Sequence, residues 1–233
     1  PTPSSAASDV YKRQSLNKVE DFLAELARLT PSEVLIVENV DENVIEAIKE
    51  NGATATQRGK SAFDSTSGED RLKTLFSVSS LDAFGGFSRS QISALGALAE
   101  YLDATQKGKL PILRPPRVEL KADSMQIDAA TRRNLELTKS INKGTKHGSL
   151  LGTIDLTVTA AGGRLLERRI SAPSMDLNLI KNRHQALEFL IDKVELSETI
   201  MALLKGVPDL ERALSRVSLD RAGPRDLANI CRS

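Results

Sequence analysis

Apolar positions follow helical spacing along much of this chain and break into short runs elsewhere. Val19, Phe22, Leu23 and Leu26 fall at i, i+3, i+4 and i+7. That spacing predicts one buried helical face, capped by Ser15 and ended before Pro31. Val34 to Val37 is a short apolar run, consistent with a buried strand. Asp41 is placed to cap a second helix with Val44, Ile45 and Ile48 inward, and Asn51-Gly52 stops it. Residues 53–57 alternate Ala and Thr and suggest another strand. Helix, strand, helix, strand predicts a parallel α/β layer, and two strands are few for a stable sheet.

Beyond a polar stretch, residues 71–78 predict a short helix with Leu72, Leu75 and Phe76 on its apolar side. Leu81, Phe84 and Phe87 anchor a turn at Gly85-Gly86. Ser88 to Gln91 reads as a capping box, opening a helix with Ile92, Leu95, Leu98, Ala99 and Leu102 inward. Three prolines make residues 110–116 an extended connector. Val118, Leu120, Met125 and Ile127 suggest two short strands around residues 122–124, and a polar loop spans 142–148. From Ser149 onward the pattern is almost wholly helical. Leu177, Ile180, Leu187 and Leu190 mark one inner face, and Leu196, Ile200, Leu203 and Leu204 the next. Pro208 and Pro224 suit first helical positions, the last helix turning Leu227, Ile230 and Cys231 inward. The expected class is therefore mostly α: an incomplete α/β layer followed by an all-helical part. The small sheet and the lack of a cap after the last helix suggest a sequence cut at both ends.

Composition narrows the function. The chain has 233 residues with 32 basic and 31 acidic side chains, a formal net charge of +1. That argues against binding nucleic acid through overall charge and leaves a local basic stripe open. The single cysteine, Cys231, excludes an internal disulfide framework and any CxxC metal knuckle, and fits a reducing compartment. No apolar run approaches the roughly 18 residues of a membrane span. With no tryptophan, two tyrosines and six phenylalanines, a stacking platform for single-stranded bases is not expected. Residues 1–14, rich in Ser, Pro and Ala, read as a disordered or artefactual lead.

Candidate chemistry is sparse. Arg58-Gly59-Lys60-Ser61 resembles the end of a phosphate-binding loop, but Thr54 stands where the first glycine belongs. A basic surface loop is the expected alternative. His147 and His184 have no partner at zinc spacing; His184 reads as packed or boundary, His147 as solvated. Asp41 and Glu42 start a helix and do not form the carboxylate cluster that two-metal nuclease chemistry needs. Lys107, Lys109, Arg114, Arg117 and Lys121, then Arg132, Arg133, Lys139, Lys143 and Lys146, are basic and close in sequence, and candidates for phosphate contact. Glu119, Asp123, Asp128 and Glu136 lie among them and favour a mixed solvated face. Asp209, Arg212, Arg216, Arg225 and Asp226 cluster near two helix starts. They read as caps and i,i+3 or i,i+4 pairs, or as contacts between domains. Gly162-Gly163 in a helical stretch marks close packing or a bend.

Five stretches carry a family resemblance: 81–87 with 97–106, 125–137, 148–151, 155–159 with Gly162 and Arg164, and 209–212 through 224–227. Their order and spacing resemble the MutS family of DNA mismatch repair proteins. The resemblance implies that residues 15–124 are the later part of a connector domain with an RNase H-like fold. Residues 125–233 would open the helical core, or lever, domain. It also implies that the mismatch-reading wedge, the clamp and the ATPase, with its ATP and Mg, lie outside this sequence. The chain itself would then carry no catalytic, cofactor or metal residues. Arg212, Arg216, Arg225 and Asp226 become candidate interdomain contacts, and Lys107, Lys109, Arg114 and Arg117 candidate DNA-phosphate contacts. Implied partners are the remaining family domains, mismatched double-stranded DNA and, for the whole protein, a second copy, in the cytoplasm and without a membrane. Two other readings stay open: a stand-alone helical interaction module, and an RNase H-like nuclease.

Overall fold

The computed structural model describes residues 12–13, 19–106, 113–118 and 123–231. Ser15, Lys107, Lys109, Leu110, Leu120 and Lys121 lie outside the described residues, as does the side chain of Val19. The chain divides into two compact units at Glu119 and Leu120, with Ser218–Asp220 grouped with the first.

In the first unit, α1 (Val19–Leu29) leads to β2 (Glu33–Val37), α2 (Glu42–Glu50) and β3 (Thr54–Arg58). The strands pair in parallel from Glu33 opposite Thr54 to Val37 opposite Arg58. Parallel neighbours need a crossover, and α2 supplies it. Asp41 caps α2 by accepting from the Asn43 N–H at 2.9 Å, and Gly52 follows the helix at φ +78°. Leu26, Ile36, Ile48 and Ala53 form the core of this layer, with Phe22, Val34, Val44 and Ile45 packed around them. A second, two-residue parallel ladder joins β1 (Lys12–Arg13) to β4 (Arg117–Val118). Its first strand falls inside the lead expected to lack structure. Backbone pairing asks nothing of side-chain type, so composition gave no sign of it.

The rest of the unit is a helix pair, α3 (Ser65–Phe76) and α4 (Arg89–Gln106). The predicted helix over 71–78 starts six residues earlier than expected. Asp64 accepts from the Ser67 N–H at 2.8 Å and so opens the helix in polar sequence. Ser77 ends it in the left-handed conformation, φ +53°, where Val78 N–H reaches back to Lys73 O at 3.0 Å. Ser88 N–H donates to Gln91 Oε1 at 2.8 Å, the expected half of a capping box at the start of α4. Leu72, Leu81, Leu95 and Ala99 make the core, and Phe84 meets Phe76 edge-on at 5.5 Å. The helices touch backbone to backbone. A Cβ on Gly96 would stand 2.4 Å from Gly68 Cα, and one on Gly68 would stand 3.0 Å from Ile92 O.

The second unit contains α5 (Ala129–Asn134), α6 (Leu150–Ile154), α7 (Ala160–Ser171), α8 (Leu177–Asp192), α9 (Val194–Lys205), α10 (Leu210–Ser218) and α11 (Pro224–Cys231). The strands expected at Met125 and Ile127 are not formed. Ser124 makes one antiparallel bridge to Ser174, Met125 N–H goes to Pro173 O at 2.8 Å, and the chain then turns into the Asp128 cap of α5. Pro208 is not the first residue of a helix: α10 begins at Leu210, behind Asp209. The helices α8 and α9 are where periodicity placed them, and they pack on each other, but neither holds a buried residue. Leu177 is 69%, Leu187 58% and Leu203 69% exposed. Leu227 and Cys231, expected inward on α11, are exposed too. Periodicity reports that a helix has an apolar face, and cannot report whether this stretch of chain supplies the cover.

The helix crossing sets a clear order of sensitivity. Gly96→Ala should lower the urea midpoint by more than Gly68→Ala, with a cost of about 1–3 kcal/mol for overpacking at Gly96. Equilibrium unfolding followed by far-ultraviolet circular dichroism measures both.

Candidate functional site

The densest polar geometry in the second unit joins α7, α10 and α11. Thr159 caps α7 by accepting from Gly162 N–H at 3.0 Å. A Cβ at Gly162 would come within 2.8 Å of the Thr159 hydroxyl, and one at Gly163 within 3.3 Å of the Thr157 hydroxyl. The glycine pair therefore fits the cap loop into the first turn. The nearest neighbours of both positions are side chains of that loop, Asp155, Thr157 and Thr159.

One residue further, Arg164 forms a two-pronged pair with Asp209. Nη1 donates to Oδ2 and Nη2 to Oδ1, each at 2.9 Å. Nη2 also donates to Glu211 Oε2 at 2.8 Å. Planar guanidinium matches carboxylate in this fork, which adds directional strength to charge. Asp209 does a second job, because Arg212 N–H and Ala213 N–H turn back to its carboxylate and its carbonyl, at 3.4 and 3.0 Å. It is thus the N-terminal cap of α10. The Arg164 pairing, ahead of other influences, holds the Asp209 carboxyl below the usual carboxylate range, and Asp209 in turn raises Arg164.

A second pair extends the network. Arg216, in the last turn of α10, donates through Nε to Asp226 Oδ2 at 3.0 Å and through Nη2 to Asp226 Oδ1. Asp226 also accepts from Gly223 N–H at 3.0 Å, the reach of a third helical residue back to its cap. Arg216 first, then the Gly223 amide, holds the Asp226 carboxyl low. Of the sequence candidates, Arg212, Arg216, Asp209 and Asp226 come together here. Arg225 is exposed and takes no part in these pairs. Arg164 was missed as a site residue, since its partners lie 45 and 47 positions away. The available signal was a first turn holding two carboxylates, Asp209 and Glu211, where one suffices to cap.

The other candidates are scattered. Arg58 ends β3 and pairs with Glu100 at 3.0 Å, its guanidinium over the Tyr101 ring at 5.7 Å from the centroid. Lys60 begins a 3-10 turn, and its N–H donates to Glu38 Oε1 at 3.3 Å. Each of these residues meets a different carboxylate, Glu100 or Glu38, an unfavourable neighbour for phosphate. His184, expected packed or at a boundary, is exposed, as is His147. It stands on a helix that buries nothing. Asp41 serves as a cap. Arg114 and Arg117 are exposed, Arg132 is buried at 6% exposure, and Lys146 pairs with Asp155. Among the described residues no three His, Cys, Asp or Glu side chains gather as a metal set, and no helix is long and apolar enough to cross a membrane.

Comparison with known proteins places both halves of the chain. Residues 8–114 match the model for MutS domain II and residues 130–233 the model for MutS domain III. The DNA mismatch repair protein MutS of Cereibacter sphaeroides strain ATCC 17025 is 54% identical over 209 residues, 90% of this chain and 23% of the relative. That of Roseobacter denitrificans is 52% identical over 206 residues, 88% of this chain and 23% of the relative. That of Ruegeria pomeroyi is 53% identical over 210 residues, 88% of this chain and 24% of the relative. The chain spans about a quarter of the length of these relatives.

Asp209 gives the network a pH signature. Its stabilising contribution is complete above the unfolded value near 4 and disappears as pH falls through its lower folded value. Asp209→Asn should cost about 1–3 kcal/mol at neutral pH, the scale of a charge-assisted hydrogen bond. It should also flatten the loss of stability as pH falls below about 4. Urea midpoints measured across that range read both effects.

Proposed function

The chain belongs to the MutS family, with its domains II and III, and from that premise we propose that it serves as a structural relay in DNA mismatch repair. In this reading the two units link whatever engages mismatched duplex DNA to whatever turns over ATP. They carry force and orientation, and no chemistry of their own. Partners are the remaining domains of the family's longer protein and, through that protein, mismatched DNA and a second copy, in the cytoplasm. Candidate interdomain contacts are Arg212, Arg216, Arg225 and Asp226.

The observation that carries this reading is the charge network. Three helices, α7, α10 and α11, are joined by Arg164 with Asp209 and Glu211, and by Arg216 with Asp226. A transmitting element needs parts that move together and a small set of discrete arrangements. Helices locked by two-pronged ion pairs meet the first requirement. The pairs are also the parts that a displacement would exchange, because an ion pair at 2.9 Å is either made or broken. A nuclease reading lacks comparable support, since Asp41 is committed to capping α2.

The purified chain should hydrolyse no ATP in the presence of magnesium above a buffer control. It should also bind matched and mismatched duplexes of equal length with the same affinity. Turnover that follows the chain through purification, or a tenfold preference for a mismatch, would overturn the relay reading. A coupled phosphate-release assay and fluorescence anisotropy make the two measurements.

A further inference from the structure

The segment between α5 and α6 is a compact surface loop with a closed base. Leu150 N–H donates to Glu136 O and Leu151 N–H to Leu137 O, both at 2.9 Å. Within the loop Ser140 N–H donates to Thr145 O at 2.9 Å, and Gly144 N–H returns to Ser140 O at 2.9 Å. Ile141 N–H donates to Glu136 Oε1 at 2.6 Å. Gly144 and Gly148 turn the chain at φ +63° and +87°. Ser149, almost fully buried, caps α6 through Gly152 N–H at 3.1 Å. The return limb lies so close to α6 that a Cβ on Gly152 would stand 2.1 Å from Lys146 O. Short loops closed in this way hold their shape and often carry function.

This held shape displays positive charge. Residues 138–149 contain Lys139, Lys143, Lys146 and His147 and no carboxylate. The two acids that adjoin the loop are engaged: Glu136 accepts from the Ile141 N–H, and Asp155 takes Lys146 and Thr157. Among the described residues Lys139 and Lys143 pair with no acid, and both are exposed. Protein interfaces are depleted in lysine, whereas phosphate is readily met by its point charge.

We propose that loop 138–149 is a contact for the phosphate backbone of duplex DNA, made through Lys139 and Lys143. The choice of DNA over an acidic protein rests on the mismatch-repair reading above; the loop geometry and charge stand without it. Neutralising phosphates releases counterions, so each lysine that meets one adds about 0.9 to the slope of log affinity against log salt.

The test is anisotropy with a labelled duplex at a series of sodium chloride concentrations. It compares the chain with Lys139→Ala/Lys143→Ala and with Lys139→Arg/Lys143→Arg. The alanine variant should bind on the order of tenfold more weakly at low salt, with a slope shallower by about 2, and the arginine variant should match the parent. Both lysines are exposed, so the urea midpoint should not move. An unchanged slope, or no duplex binding by the parent at low salt, would overturn the proposal. So would polyglutamate binding that equals duplex binding and is lost with the same two lysines. None of these outcomes touches ATP turnover or mismatch preference, so the relay reading stands or falls separately.

Discussion

The helical unit turns on what one guanidinium does. Arg164 satisfies two carboxylates on another helix, and one of them, Asp209, is at the same time the group that starts that helix. Starting α10 and joining it to α7 are therefore a single event. Asp226 repeats the scheme on a smaller scale, fixing the start of α11 while receiving Arg216 from the end of α10. Isolated surface ion pairs contribute little because long side chains must be immobilised to form them. Here the carboxylates are already held by the caps, and Arg164 and Asp209 are three-quarters or more shielded from water. Both facts favour a stronger interaction than an exposed pair gives.

The first unit is held together by other means. Its small parallel sheet is covered by apolar side chains from α1 and α2, and α3 and α4 add a second apolar cluster. Polar links run between these layers: Tyr101 donates to Glu33 Oε1 at 2.6 Å, and Glu100, which also pairs with Arg71 of α3, receives Arg58. Small sheets need such cover, because two strands alone are marginal in water. The tetrad that looked like part of a nucleotide loop contributes to this joinery through Arg58.

Local chemistry was legible in the sequence, and distant chemistry was not. Asp41, Gly52, Gln91 and Pro224 signalled element ends correctly because a cap acts within three or four residues. The family resemblance rested on stretches such as 148–151 and 209–212. The structure gives each a job there: Ser149 closes a loop and Asp209 nucleates a helix. The first half of α3 was hidden because Gly68 and polar neighbours lower local helix preference, a deficit met by packing on α4. Arg164 was hidden because nothing in a linear pattern joins positions 45 apart. The inward faces assigned to α8 and α9 failed for a third reason, since amphipathic spacing names a surface without naming what lies on it.

The crossing of α3 and α4 has a further consequence. Most packed pairs can drift together, one residue growing while its neighbour shrinks, and leave a record of exchange. Gly68 and Gly96 have no such freedom, because nothing smaller exists for either to become. A change at one cannot be repaired by a smaller residue at the other. This close crossing is then silent in any search for paired substitutions.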